Sequence, residues 1–165
     1  DTLFAVKKIA GAKAIAAGGY HSLVLTQQGH VWTTGWNKYG QLGDALSSYR
    51  ATFFVAMSSV PEAVAVAGGE THSLVLKKDG SVWATGINLY GQLGDGSRRN
   101  DASEFEEVLS QGVMAVAAGG AHSMVLKKDG SVWSAGRTQT STRSNEFHRC
   151  QQMRRSTVQG KSWPR

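Results

Sequence analysis

An all-β repeat protein, built as a partial β-propeller, is the fold that this sequence predicts, and three observations predict it. One block of sequence returns three times with a period of 50–51 residues. Each copy divides into short β-rich runs separated by glycine turns. Nowhere do apolar residues recur at helical spacing.

The repeat carries most of the argument. "AIAAGGYHSLVLTQQGHVWTTGWNKYGQLGD" runs 14–44, "AVAVAGGETHSLVLKKDGSVWATGINLYGQLGDGS" runs 63–97, and "AVAAGGAHSMVLKKDGSVWSAG" runs 115–136. His21, His72 and His122 set the phase, 51 and then 50 residues apart. Trp32, Trp83 and Trp133 keep those spacings, as do Gly18, Gly69 and Gly119. The copies span roughly 14–62, 63–112 and 113–136, the last incomplete, and residues 1–13 resemble the end of a preceding copy.

Within a copy the elements follow in order. "AVAVAG" is a short strand whose small residues suit close approach of backbones. Next comes a hairpin: Leu74 and Leu76 alternate with Val75, Asp79-Gly80 turns the chain, and Val82 and Trp83 return it. The turn recurs as Asp129-Gly130 and, more weakly, as Gln28-Gly29. A glycine loop follows, with Gly40 and Gly43 in one copy and Gly91 and Gly94 in the next, suited to positive φ angles. A fourth strand is expected at "FFVAM" (53–57) and "FEEVL" (105–109). Three or four short strands per fifty residues make a propeller the natural architecture.

The middle copy, through Gly69, His72, Ser73, Leu74, Leu76, Asp79, Gly80, Val82, Trp83, Gly86, Asn88, Gly91, Gln92, Leu93, Gly94, Asp95 and Gly96, resembles the regulator-of-chromosome-condensation repeat. Gly18, His21, Trp32, Gly35, Gly40 and Gly43 carry the same pattern in the first copy, and Gly119, His122, Asp129, Gly130, Trp133 and Gly136 in the third. The resemblance covers residues 1–136 and implies a propeller with four-stranded blades, commonly about seven of them. Three copies do not close such a ring, so residues 1–136 are expected to be a piece of a larger propeller, with self-association to complete a ring as the alternative. Members of the family include exchange factors for a Ran-type small GTPase that also contact chromatin, and accessory propellers of HECT-type ubiquitin ligases. They also include a plant ultraviolet-B receptor that senses light through clustered tryptophans. The matching positions here read Gly19-Tyr20-His21-Ser22 and Glu70-Thr71-His72-Ser73, without Trp, which disfavours light sensing.

No catalytic set is visible: there is no nucleophile elbow, no cysteine with a supporting histidine and no paired carboxylates in context. The chain is therefore expected not to be an enzyme and to need no cofactor. The histidines sit one blade apart, which argues against convergence on a metal; each is expected to fix a turn by hydrogen bonding to backbone. "GQLGDGS" lacks the Lys-Ser/Thr of a phosphate loop. Trp32, Trp83 and Trp133 read as packing residues, Trp36 as a more exposed loop residue, and Lys77-Lys78 and Lys127-Lys128 as solvated hairpin lysines.

The formal net charge is +6, yet residues 1–136 hold eleven Lys/Arg and eleven Asp/Glu. All the excess lies in residues 137–165, seven basic side chains against Glu146. That stretch lacks any apolar period and is expected to be a disordered tail, read either as a basic arm for nucleic acid or chromatin, or as a reading-frame change. The lone Cys150 excludes an intrachain disulfide, and no run of residues is long and apolar enough for a membrane helix. The expected function is a non-enzymatic protein-interaction module whose partner is another protein, with a small GTPase among the candidates. The expected compartment is intracellular, cytoplasmic or nuclear.

Overall fold

The computed structural model describes residues 9–45, 50–57, 60–97, 99–137 and 143–149. Twelve strands form three antiparallel four-stranded sheets, each in simple sequence order. The first holds β1 (Ala12–Ala17), β2 (His21–Thr26), β3 (Val31–Trp36) and β4 (Arg50–Met57). The second holds β5 (Ala63–Gly68), β6 (His72–Lys77), β7 (Val82–Ile87) and β8 (Asp101–Leu109). The third holds β9 (Val113–Ala118), β10 (His122–Lys127), β11 (Val132–Arg137) and β12 (Arg143–Arg149). Among the described residues there is no helix.

Each hairpin takes its register from its turn. Val75 faces Trp83 and Leu76 faces Val82 across Asp79-Gly80, and Val125 faces Trp133 across Asp129-Gly130. The Asp79 carboxylate accepts from the Ser81 amide at 2.8 Å and the Ser81 hydroxyl at 2.6 Å, and these bonds hold it below the usual carboxylate range. Asp129 repeats both contacts with Ser131.

The apolar core lies in the seams between sheets. Leu23, Leu25 and Val31 of the first sheet meet Ala63, Val75 and Phe105 of the second. Leu76 and Val82 of the second meet Val113, Val125 and Ala135 of the third. The first strands of successive sheets, β1, β5 and β9, touch one another, as the inner strands of neighbouring propeller blades do. We refer to the sheets as blades.

Three expectations are corrected here. The outer strands begin earlier than the apolar runs that signalled them, at Arg50 and Asp101, because backbone pairing with Trp36 and Ile87 extends the ladder ahead of those runs. The third blade carries a fourth strand where the sequence suggested an unfinished copy: β12 pairs with β11, from Arg137 with Arg143 to Trp133 with Arg149. An exposed strand edge offers unpaired backbone groups to any extended segment, whatever its apolar pattern. The rest of the basic tail, with Cys150, lies outside the described residues.

The third correction concerns the histidines. The His21 ring does not bond a turn; its Nε2 lies 2.7 Å from Ser73 Oγ on the next blade. Ser73 Oγ in turn donates to the Gln41 carbonyl at 2.7 Å, so the serine accepts and the imidazole carries its proton on Nε2. The second seam repeats the relay, from His72 Nε2 to Ser123 Oγ at 2.9 Å and on to the Gln92 carbonyl at 2.7 Å. Ser73→Ala leaves the His21 N–H and the Gln41 carbonyl buried without partners. It is expected to cost roughly 2 kcal/mol in urea unfolding. Ser22→Ala removes a hydroxyl with no bond among the described residues and serves as the neutral control; equal midpoints for the two variants would remove the relay from the account of stability.

Candidate protein-interaction face

The turns joining first to second strands and the loops joining third to fourth strands emerge at the same end of the sheets. They form one face of the blade array. The loops on this face hold themselves in shape. Asn37 Oδ1 accepts the Leu42 amide at 2.9 Å while its Nδ2 donates to Asp44 Oδ1 at 2.9 Å. Gln41 Oε1 accepts the Tyr39 amide at 3.0 Å. Asn88, Gln92, Tyr90, Leu93 and Asp95 repeat the pattern in the second blade. Burial would raise the Asp95 carboxyl, but hydrogen bonds from Ser97, Arg99 and Asn88 outweigh it and hold the group below the usual range.

Of the repeat residues singled out in the sequence, the glycines beside the histidines and in the third-to-fourth-strand loops scaffold this face, whereas Gly80, Gly130, Trp83 and Trp133 lie toward the hairpin turns at the opposite end of the sheets. A Cβ on Gly69 would fall 2.1 Å from Cε1 of His72, and Gly18 and Gly119 stand in the same relation to His21 and His122 at 2.2 Å. Gly86 has φ of +106°, and a Cβ there would lie 2.5 Å from the Thr71 carbonyl oxygen; Gly35 and Gly136 match it against Tyr20 and Ala121. Gly40, Gly43, Gly91, Gly94, Gly80 and Gly130 also have positive φ. The tryptophans are half-buried. Trp83 and Trp133 pack against the two seam clusters, and their indole N–H groups donate to Ser81 and Ser131. Lys77 and Lys127 are not merely solvated: their ammonium groups lie 5.1 and 3.9 Å from the centroids of those indoles.

Where the three copies agree, the residue has an internal task. Where they disagree at the surface, the face acquires its character. Position 20 is Tyr, against Thr71 and Ala121, and position 36 is Trp, against Ile87 and Arg137. Trp36 is the last residue of β3 rather than a loop residue, and it is half-buried. Its ring meets Tyr20 at a 5.3 Å centroid distance and 74°, and Tyr39 at 5.4 Å and 80°. Tyr20 itself is 61% exposed. Leu89 and Tyr90 of the second blade also reach solvent, with Arg137 stacked 5.3 Å above Tyr90. Beside Tyr39 opens a cleft of about 480 Å³, lined by Asn37, Lys38, Arg99, Asp101 and Glu106. Arg99 is neutralised there by Asp95 and Glu106. The signal that would have picked out Tyr20 beside Trp36 was the divergence of those two positions among otherwise matching copies, whereas Tyr39 matches Tyr90 of the second copy and gave no such signal.

This arrangement presents a surface suited to binding. It offers broad aromatic surface on a rigid scaffold, with a polar margin, the composition of a protein-binding hot spot. The buried histidine nitrogens that bear protons are committed to serine hydroxyls in the seams and do not face the surface.

Two family models, each described as the regulator of chromosome condensation (RCC1) repeat, match the chain. One covers residues 12–41, 63–92 and 114–139, the other 28–76 and 79–126. The chain is similar to the X-linked retinitis pigmentosa GTPase regulator homolog of Caenorhabditis elegans, with 38% identity over 88 residues, which is 53% of this chain and 6% of that protein. It is similar to human probable E3 ubiquitin-protein ligase HERC4, with 39% identity over 89 residues, which is 53% of this chain and 8% of HERC4. Among solved structures, Prp20p of Saccharomyces cerevisiae, described with its binding properties to Gsp1p and histones, matches with a TM-score of 0.73 at 20% identity. That match covers 89% of this chain and 41% of Prp20p, and it concerns the fold. The matched stretch thus spans less than a tenth of the length of either of these two curated relatives.

Proposed function

Because this chain belongs to the regulator of chromosome condensation (RCC1) repeat family, we propose that it is a non-enzymatic module that docks another protein on the face bearing Tyr20, Trp36 and Tyr39. One observation carries the reading: Tyr20 and Trp36, which build the cluster around the repeated Tyr39, occur in the first blade and have no aromatic counterpart in the other two, whereas the scaffold beneath them is shared by the copies. A small GTPase is the finer choice of partner, supported by the GTPase-regulator name of the Caenorhabditis elegans relative and by the description of Prp20p. Similarity to HERC4 supports a second reading, an accessory propeller within a multidomain ligase, with the aromatic face recruiting its substrate.

Purified Gsp1p and core histones are suitable probes, titrated against the immobilised chain. Trp36→Ala and Tyr20→Ala are expected to weaken binding at least about tenfold, the usual effect of truncating a central aromatic anchor. Their melting temperatures should stay close to that of the parent, since the rings lie outside the seam clusters. Binding that ignores both substitutions would move the interface elsewhere. No binding of either probe would overturn the GTPase and histone choices.

A further inference from the structure

We propose that the Tyr20–Trp36–Tyr39 ladder takes a proline-rich segment in the polyproline II conformation, flanked by a basic residue; this inference rests on the docking reading above. Ring geometry is the first argument. Successive rings stand at 74° and 80° to one another, so the surface is ridged rather than flat. Aromatic-lined surfaces are the common way to hold a polyproline II helix, and here pyrrolidine rings would pack on the exposed Tyr20 ring beside Trp36. Parallel rings would instead have offered stacking platforms for bases.

The second argument is an uncommitted donor. Trp83 and Trp133 donate their indole N–H groups to serines of their own turns. The indole N–H of Trp36 has no acceptor among the described residues. A polyproline II segment makes no internal hydrogen bonds and leaves its carbonyls free to accept from such a donor.

Charge decides between the remaining occupants. The chain's own cations lie over Tyr39, Tyr90, Trp83 and Trp133, but among the described residues none lies over Tyr20 or Trp36. The exposed Tyr20 ring is thereby left to uncharged rings. Next to the ladder, Arg99 is held by Asp95 and Glu106, and among the described residues the cleft lining balances Lys38 and Arg99 against Asp101 and Glu106, which gives no net positive field for a phosphate backbone. Asp101 is exposed at the cleft and has no side-chain partner among the described residues, which places a carboxylate where a basic residue beside the prolines would reach it.

The test uses the full chain and fluorescein-labelled peptides: decaproline ending in Arg, decaproline ending in Glu, a Gly-Ser decamer, and the oligonucleotide dT10. Anisotropy is expected to show saturable binding of the Arg-ended decaproline, and no saturation with the Gly-Ser peptide or dT10. Trp36→Ala and Tyr20→Ala should each weaken it at least tenfold. Trp36→Phe, which keeps a ring but removes the N–H, should weaken it several-fold. Asp101→Asn should abolish the preference for Arg over Glu without abolishing binding. If Trp36→Ala fails to fold, Tyr20→Ala, altering a mostly exposed ring, carries the test. No saturation by decaproline at millimolar concentration, binding insensitive to Trp36 and Tyr20, or tighter binding of dT10 would each overturn the proposal. If Gsp1p or histone binding depends on Trp36 while decaproline does not bind, this inference falls and the docking reading stands.

Discussion

Gly69→Ala is expected to destabilise the protein by about 3 kcal/mol or more, enough to lower its urea midpoint severely or prevent folding. The added Cβ would sit 2.1 Å from Cε1 and 2.3 Å from Nδ1 of His72, and 2.8 Å from the Gly119 carbonyl oxygen on the third blade. His72 cannot yield, because it is wholly buried and its Nε2 is tied to Ser123. The carbonyl cannot yield without moving a neighbouring blade. Gly120→Ala is the control, since its Cβ would meet only Glu70 Oε2, at 3.6 Å. It should stay within about 0.5 kcal/mol of the parent. A double-mutant cycle locates the clash: in a His72→Ala background, Gly69→Ala should cost much less. Equal costs in the two backgrounds would show that the histidine is not the obstacle.

Acid should unfold this protein through its seams. Burial lowers the His21 pKa to about 4; burial first, and then the neighbouring charges of His21 and His122, lower that of His72 to about 3. The unfolded chain binds protons at these sites below about pH 6.5, whereas the folded chain does not until its own lower values are reached. Stability is therefore full above about pH 7 and falls as the pH drops through the window from 6.5 toward 4 and 3. At pH 4.5 the loss should be on the order of 2–3 kcal/mol for each histidine. Urea titrations at pH 7.5, 6.0 and 4.5 measure it. Asp79 and Asp95, with lowered carboxyl values, lose their contribution only below the ordinary carboxylate range, so the two effects separate by pH. A flat profile between pH 7.5 and 4.5 would mean that the imidazoles are not held neutral by the fold.

Much of the architecture is legible in the residue pattern, because each copy restates it. Asp79-Gly80 and the Leu74–Leu76 alternation specify a hairpin locally, and β6 and β7 follow. The outer strands were read too short, since Asp101 and Glu104 lie exposed at the rim, where burial leaves no apolar signature. β12 carried no readable alternation; it exists through backbone pairing with β11. His21 illustrates a different limit. Its phase was evident from sequence, but its partner, Ser73, lies 52 residues away and becomes a neighbour only when two blades stack. The aromatic face was half legible: Trp36 stood out as a more exposed tryptophan than the three in the repeat phase, but its right-angled contacts with Tyr20 and Tyr39 depend on two loops converging at one end of a sheet.

The histidine–serine relay has a direction, and that gives the row of blades a polarity like that of a growing filament. Each blade extends a proton donor forward and receives one from behind. At one end stand Ser22, an acceptor without a bond among the described residues, and Ile15, 82% exposed. At the other stand His122, exposed at the surface, and Met124, 37% exposed where its counterparts Leu23 and Leu74 are fully covered. Two leading ends would set donor against donor and two trailing ends acceptor against acceptor, so like ends have no complementary chemistry. Any blade seated beyond β10, whether from the same polypeptide or another, must arrive trailing end first and bring a serine to meet His122.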